Sequence, residues 1–362
     1  MGRTSNDGPT EPGHRQIMGR NALHAGDLCL VTGGAGFIVS NLAHALLRQG
    51  MRVRVVDDLS TGRLVNLDDL LGDLEFVEGD VRDAESVLAA TQGCAVVFHQ
   101  AAIPSVARSV ADPIATNEAN VTGTLNVLLA ARDAGVQRVV FASSSSVYGN
   151  APEMPVHEGL PCRPISPYGV SKLAGERYLQ AFWESYELPT VALRYFNVFG
   201  PHQNPRAEYA AVVPRFVASA LEGRPATIYG DGEQARDFTY VGDVVQANLQ
   251  AADSTPDAWG QVFNVACGDR HSVNQLLAAV GSAVGGEAVP PVHEPARAGD
   301  VRESHAAIHA AERGWATRPS TASTRVFGAR SPGTGSSGSS GCCSVEREDH
   351  PPGCRNWQTT AP

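Results

Sequence analysis

With 362 residues, 43% of them hydrophobic and 18% charged, the chain is long enough for a full core, as one large domain or two modest ones. Its formal net charge of −10 gives no electrostatic support to nonspecific binding of nucleic acid or an anionic membrane, so neither is expected as a partner. No apolar run approaches the ~20 residues that span a bilayer, and Met1 to Asp27 lacks the apolar centre of a signal peptide, so a cytoplasmic location is expected.

That opening segment, 1–27, reads as a flexible extension, with Met18 an alternative start. Leu28–Thr32, Arg52–Asp57, Leu74–Glu78, Val96–His99, Arg138–Ser143 and Thr190–Arg194 are β-branched, apolar runs that read as strands. Between them Phe37–Gln49, Ala84–Thr91, Asn117–Ala134 and Tyr168–Tyr186 read as helices. This alternation predicts an α/β fold, a doubly wound parallel (Rossmann) sheet covered on both faces. Past Phe196 the rhythm breaks. Val212–Leu221, Asp243–Ala252, Gln261–Ala266 and Ser272–Val280 suggest a smaller mixed α/β lobe, over 197–316. The stretch 317–362 has no Leu or Ile and is rich in Ser, Gly, Pro and Arg, so disorder is expected there.

The first strand runs into Gly33-Gly34-Ala35-Gly36-Phe37-Ile38 at the mouth of a helix. Glycines allow a tight turn and a close approach to a pyrophosphate, and a helix N-terminus offers free N–H groups and positive potential. The second strand ends at Asp57, whose carboxylate can accept from both ribose hydroxyls and would repel a 2′-phosphate. Strand, glycines, helix, strand and terminal acid together point to NAD. Where this spacing calls for a third glycine the chain has Val39, which risks overpacking of roughly 1–3 kcal/mol against the strand.

Ser143 to Ser146 close the fifth strand, and Tyr168 and Lys172 lie one helical turn apart. A lysine ammonium one turn from a tyrosine, together with the positive nicotinamide, favours the phenolate, which makes the phenol a usable base, and Ser144 can hold a substrate hydroxyl in line. Cys29, Cys94, Cys162, Cys267, Cys342, Cys343 and Cys354 contain no CxxC pair and read as reduced thiols, with neither a metal site nor a disulfide.

These motifs resemble the extended short-chain dehydrogenase/reductases, specifically the sugar-nucleotide epimerases. The residues that carry the likeness are 32–38, 143–149, 166–172, 193–200 and 230–238, within a span from Leu28 to Trp315. The resemblance implies Tyr168 as base, Lys172 as its tuner and a ribose contact, and Ser144 as the substrate-positioning hydroxyl. It places Gly33, Gly36, Phe37, Ile38, Asp57, Asp80, Val81, Ala101, Ala102 and Asn120 around NAD, with Asn120 on a helix that supports the site. It assigns Asn197, Arg236 and Arg302 to a nucleotide diphosphate and Val213 and Tyr229 to a uracil, with Ser105 and Ser145 beside the sugar. Dehydratases and decarboxylases of the family carry an acid just after the catalytic Ser/Thr. Ser145 and Ser146 occupy that place here, so C4 epimerization of a UDP-hexose through a 4-keto sugar is expected.

The stretch 99–109, Asn204-Pro205 and the small Ser304 look like epimerases that accept N-acetylated hexosamines, which implies UDP-GlcNAc/UDP-GalNAc interconversion. UDP-glucose or UDP-glucuronate 4-epimerization, and a homologue that binds NAD and UDP-sugar without turnover, are the competing readings. A homodimer is implied, packed through 117–134 and 168–186. After Trp315 the family pattern gives way to the Ser/Gly/Arg-rich tail, a switch consistent with a shifted reading frame.

Overall fold

The computed structural model describes residues 23–206, 210–285, 289–296 and 302–311. The first 22 residues of the expected extension and the expected disordered tail lie outside the described residues.

In chain order the first part comprises β1 (Leu28–Thr32), α1 (Phe37–Arg48), β2 (Arg52–Asp57), β3 (Glu75–Glu78), α2 (Ala84–Thr91), β4 (Val96–His99), α3 (Val106–Ala111), α4 (Pro113–Asn117), α5 (Gly123–Asp133), β5 (Arg138–Ser144), α6 (Pro167–Tyr186) and β6 (Thr190–Tyr195). There follow β7 (Val198–Phe199), α7 (Val212–Leu221), β8 (Thr227–Tyr229), β9 (Ala235–Arg236), β10 (Thr239–Tyr240), α8 (Val241–Ala252), β11 (Gln261–Val265), β12 (His271–Ser272), α9 (Val273–Val284), β13 (Val292–Glu294) and β14 (Glu303–Ser304).

Seven parallel strands form the main sheet in the order β11-β6-β5-β4-β1-β2-β3. All five residues of β1 are buried, because helices cover both faces. The period of two divides the strand: Leu28 and Leu30 pack with α2, α5 and α6, while Cys29 and Val31 pack with α1 and α8. Strand order reverses between β1 and β4, so a crevice opens beyond their carboxyl ends, where open sheets of this kind take ligands.

Two expectations change. Gln261–Ala266 and Asp243–Ala252 were assigned to the smaller lobe, but β11 pairs with β6 from Gln261↔Val191 to Val265↔Tyr195 and α8 packs on α1 and β5. The chain leaves the sheet after β6 and returns to it, which local patterning does not reveal. The helix expected over Asn117–Ala134 is also interrupted. Between α4 and α5, Glu118–Thr122 forms a π-helical turn.

What remains of the second lobe is made of short pieces. Helices α7 and α9 enclose a core of Phe199, Val213, Phe216, Ile228, Phe238 and Leu276. A three-stranded sheet, β12-β9-β14, lies at its edge.

Candidate active site

At the end of β1 the chain turns through Gly33, whose φ of +74° is left-handed backbone that side chains disfavour. A Cβ there would lie 2.7 Å from the Ala101 Cα, so Gly33 also keeps open the gap between the β1 and β4 loops. Gly36 caps α1 by backbone alone, and the first-turn N–H groups of Phe37 and Ile38 have no carbonyl one turn earlier in the helix. The Asp57 carboxylate accepts from Ala35 N–H at 2.8 Å and Leu59 N–H at 2.7 Å. Burial pushes its acid strength down, raising the carboxyl above its ordinary pKa, and those two N–H donors oppose the shift. Spare lone pairs on that carboxylate, an uncrowded glycine turn and a helix N-terminus together fit a dinucleotide. Val39 does not break this turn. It is buried in the core, and the bonds Gly36 N–H to Gly33 C=O at 3.1 Å and Ser40 N–H to Gly36 C=O at 3.0 Å are both present.

Asp80 is held by Arg82, through Nε at 2.7 Å and the backbone N–H at 2.8 Å, and this pairing keeps its carboxyl below the usual range. Val81 is buried next to it against Gly123. Across the crevice, Gln100 and Ala101 N–H both donate to Thr32 Oγ1 at 3.2 Å, which fixes the loop of Ala101 and Ala102 to the end of β1.

Ser144, Tyr168 and Lys172 meet where β5 and α6 cross. Ser166 caps α6 through Gly169 N–H at 3.1 Å, with Pro167 at the first helical position. Gly175 lets the helix lie close on β5, since a Cβ there would sit 2.5 Å from the Phe141 ring. Lys172 Nζ thereby reaches Ala142 C=O at 2.8 Å and lies 6.0 Å from the Tyr168 ring centre. The Ser144 hydroxyl neighbours the Tyr168 phenol and lies 3.0 Å from Ser146 Oγ. Ser145 opens the short 3₁₀ turn that follows.

Burial drives the Lys172 ammonium down to about 7, opposed by the charge of Glu176 one turn on. Burial likewise raises the Tyr168 phenol, opposed by the neighbouring Ser144 hydroxyl. Desolvation dominates the phenol of the protein alone, whereas the lowering expected from the sequence belongs to Lys172 acting together with a bound nicotinamide. Glu176 itself is matched by Arg194, with contacts of 2.8 and 2.7 Å, and accepts from Ser143 Oγ at 2.5 Å.

Asn120 was expected beside the cofactor, but its side chain is occupied within the protein. It accepts from Ile103 N–H at 2.8 Å and donates to Ser171 Oγ at 3.0 Å and Ile103 C=O at 3.3 Å. It joins the β4 loop to the helix that carries Tyr168 and Lys172. A second chain of bonds runs beneath. Thr124 Oγ1 donates to Asn120 C=O at 2.6 Å, so its oxygen accepts from His99 Nε2 at 2.9 Å; His99 Nδ1 then accepts from Thr32 Oγ1 at 2.8 Å. Burial, with Lys172 as a lesser cause, drives His99 down to about 3 and keeps it neutral. Neither His99 nor Thr124 had been singled out in the sequence.

In the second lobe, Asn197, Val213, Tyr229 and Arg236 share one pocket of about 250 Å³. Ser304 lies at its border, paired in register with Arg236 and 3.5 Å from Asn197 Nδ2. Two residues fall elsewhere. Arg302 is outside the pocket lining, 80% exposed and 3.9 Å from Asp231. Ser105 lies outside that pocket lining and caps α3, its oxygen accepting from Arg108 N–H at 3.2 Å. Sequence reading also missed Asp237, fully buried and accepting from Cys267, Gly268 and Ala306 N–H at 2.8, 3.1 and 3.3 Å, which binds three segments of the lobe together. Arg215 and Gln234 line the pocket unannounced as well.

Residues 29–266 match the NAD dependent epimerase/dehydratase family. A UDP-glucose 4-epimerase of Mycolicibacterium smegmatis is 44% identical over 279 residues, covering 76% of this chain and 88% of that protein. Among solved structures, a UDP-N-acetylglucosamine 4-epimerase from Methanobrevibacter ruminantium, in complex with UDP-N-acetylmuramic acid, superposes with a TM-score of 0.79 at 36% identity, covering 84% of this chain and 97% of that one. The Thermus thermophilus UDP-glucose 4-epimerase in complex with NAD gives a TM-score of 0.72 at 41% identity over 81% and 94% of the two chains. With a parallel sheet, a dinucleotide cradle and this match across most of its length, the chain belongs to the NAD dependent epimerase/dehydratase family and is an NAD-dependent epimerase.

Proposed function

We propose that the chain inverts C4 of a UDP-hexose, with UDP-GlcNAc and UDP-GalNAc as the preferred pair. The observation that carries the reading is the Ser144–Tyr168–Lys172 group at the crossing of β5 and α6, set at the carboxyl edge of a sheet that also carries the cradle of Gly33, Gly36 and Asp57. NAD held along that edge supplies a hydride acceptor and donor and brings a positive ring near the phenol. Gly33, Gly36, Phe37 and Ile38 would face its pyrophosphate, Asp57 its ribose, Asp80 and Val81 its adenine, and Ala101 and Ala102 the opposite wall.

Tyr168 takes the proton of the C4 hydroxyl as the 4-keto sugar forms and returns it after the sugar has presented its other face. Ser144, beside the same phenol, holds that hydroxyl in line. Lys172, buried and close to the ring, supplies the charge that favours phenolate. Asn197 and Arg236 keep the diphosphate anchored while the sugar turns, and Val213 and Tyr229 pack the base. No acid follows Ser144 in its turn, and the neighbouring Glu176 is engaged by Arg194 and Ser143, which disfavours elimination. A short side chain at Ser304, beside Asn197, suits a 2-acetamido group better than a bulky one would.

Among the described residues no helix is long and apolar enough to cross a membrane. We propose a cytoplasmic homodimer that covers the exposed Val170 and Tyr178 of α6 with a second copy, which light scattering would test. The functional test is a turnover assay with UDP-GlcNAc, UDP-GalNAc, UDP-Glc and UDP-Gal. Turnover of UDP-Gal with UDP-GalNAc untouched would refute the acetamido reading and favour the plain hexose. Bound NAD with no turnover of any of them would favour the homologue that only binds.

A further inference from the structure

Two arginines line the second-lobe pocket, and only one of them was expected there. Arg236 is in place, but Arg302 is turned to solvent toward Asp231. The second is Arg215, near the start of α7 between the buried Val213 and Phe216. Its guanidinium carbon stands 5.7 Å from the centre of the Tyr229 ring. That ring is its one partner among the described residues: no hydrogen bond or ion pair engages its donors.

The pocket as a whole is equally one-sided. Its described lining holds two guanidinium groups and no carboxylate, in a chain whose net charge is −10. Arg215 is half-buried at the pocket wall, and among the described residues its N–H donors meet no protein acceptor, so they are open to a ligand's oxygens. Contact with the Tyr229 face holds the planar fork in one orientation, which reduces what must be ordered on binding. Asn197, another lining residue, adds a polar side chain to the same pocket.

We propose that Arg215 is a substrate-binding arginine that donates to the diphosphate of the UDP-hexose, beside Arg236. This rests on the reading that the pocket takes the nucleotide half of the substrate. A guanidinium is matched to phosphate oxygens by charge and by its paired donors, and the apolar walls of Val213 and Phe216 strengthen that bond by excluding water.

The test is calorimetric binding of UDP and of uridine to the full chain, for wild type and for Arg215→Gln, Arg215→Lys and Arg302→Gln, with KM and kcat for the preferred UDP-sugar. Arg215→Gln is expected to weaken UDP about tenfold or more and uridine far less, and to raise KM with kcat nearly unchanged. Arg215→Lys should fall between, because it keeps charge and loses the fork, and it guards against a folding artefact in the glutamine variant. Arg302→Gln should change UDP binding less than Arg215→Gln does. Equal UDP binding by Arg215→Gln and wild type overturns the inference alone. Equal losses for uridine and UDP also overturn it, since the contact would then be to the base or ribose. Wild type that binds NAD but not UDP overturns the pocket reading and this inference with it.

Discussion

Ser144, Tyr168 and Lys172 are carried on a strand of seven residues and a helix of twenty. Arg236 and Ser304 are carried on strands of two residues each. The first region is held many times over. Lys172 is fixed to Ala142, Glu176 to Arg194 and Ser143, and Asn120 ties the β4 loop to Ser171. The second region is closed in good part by one carboxylate, Asp237, which gathers three N–H groups from two other segments. Proton transfer needs reacting atoms fixed to a fraction of an ångström, whereas a lobe that grips a nucleotide needs charge and closure and must still open. The difference in construction follows from that difference in task.

Four changes test this contrast. Replacing Tyr168 by Phe removes the proton carrier and leaves the packing, so kcat should fall roughly a hundred- to ten-thousand-fold with NAD content and the melting curve unchanged. A smaller loss would show that the first region tolerates a substitute base. Glu176→Gln leaves Arg194 buried with half of its partner gone, and urea unfolding should show a loss of about 3–5 kcal/mol. A loss below 1 kcal/mol would mean that this region is less tightly determined than its bonds suggest.

Lys172→Met should act in the opposite direction on stability while abolishing turnover. The lysine is held down at about 7 from an ordinary 10.5, so below pH 7 the folded chain carries a buried ammonium at a cost. The variant should therefore be more stable than wild type at pH 6, by about 1–4 kcal/mol, with the advantage shrinking as pH rises toward 10. An advantage that does not change with pH would refute the burial argument. Asp237→Asn gives the smallest effect. Its carboxyl is raised from 3.8 to about 6, so the contribution from its raised pKa is complete below pH 3.8 and is lost as pH rises through 6. Wild-type stability relative to this variant should decline across pH 4–6, on the order of 1–2 kcal/mol, and level off above.

Much of the first region was legible because its signals are local. Buried parallel strands must be apolar on both faces, and a glycine turn before a helix, or Tyr168 and Lys172 one turn apart, can be read from spacing alone. The second region was legible in its residues but less so in its arrangement. Asn197, Val213, Tyr229 and Arg236 converge, yet Arg302 does not, because its direction depends on Asp231 and on how β14 docks against β9. Arg215 went unnoticed since a cation on an amphipathic helix normally faces water. The return of β11 to the main sheet is a long-range pairing that no window of sequence contains. The same holds for His99, whose neutrality depends on Thr32 and Thr124 from distant segments.

The π-helical turn at Glu118–Thr122 makes the length of this stretch matter more than its composition. Such a turn holds one residue more than an α-helical one. Removing Ala119 would let α4 and α5 run on as a single regular helix, and would swing whatever lies on one side of the cut by about 100°. The amide of Asn120 would then leave Ile103 and Ser171, although every residue with a bond in the site would still be present. The exposed side chain at Glu118 can be exchanged, but the count of residues between Pro113 and Thr124 cannot change without uncoupling the β4 loop from the helix of Tyr168 and Lys172.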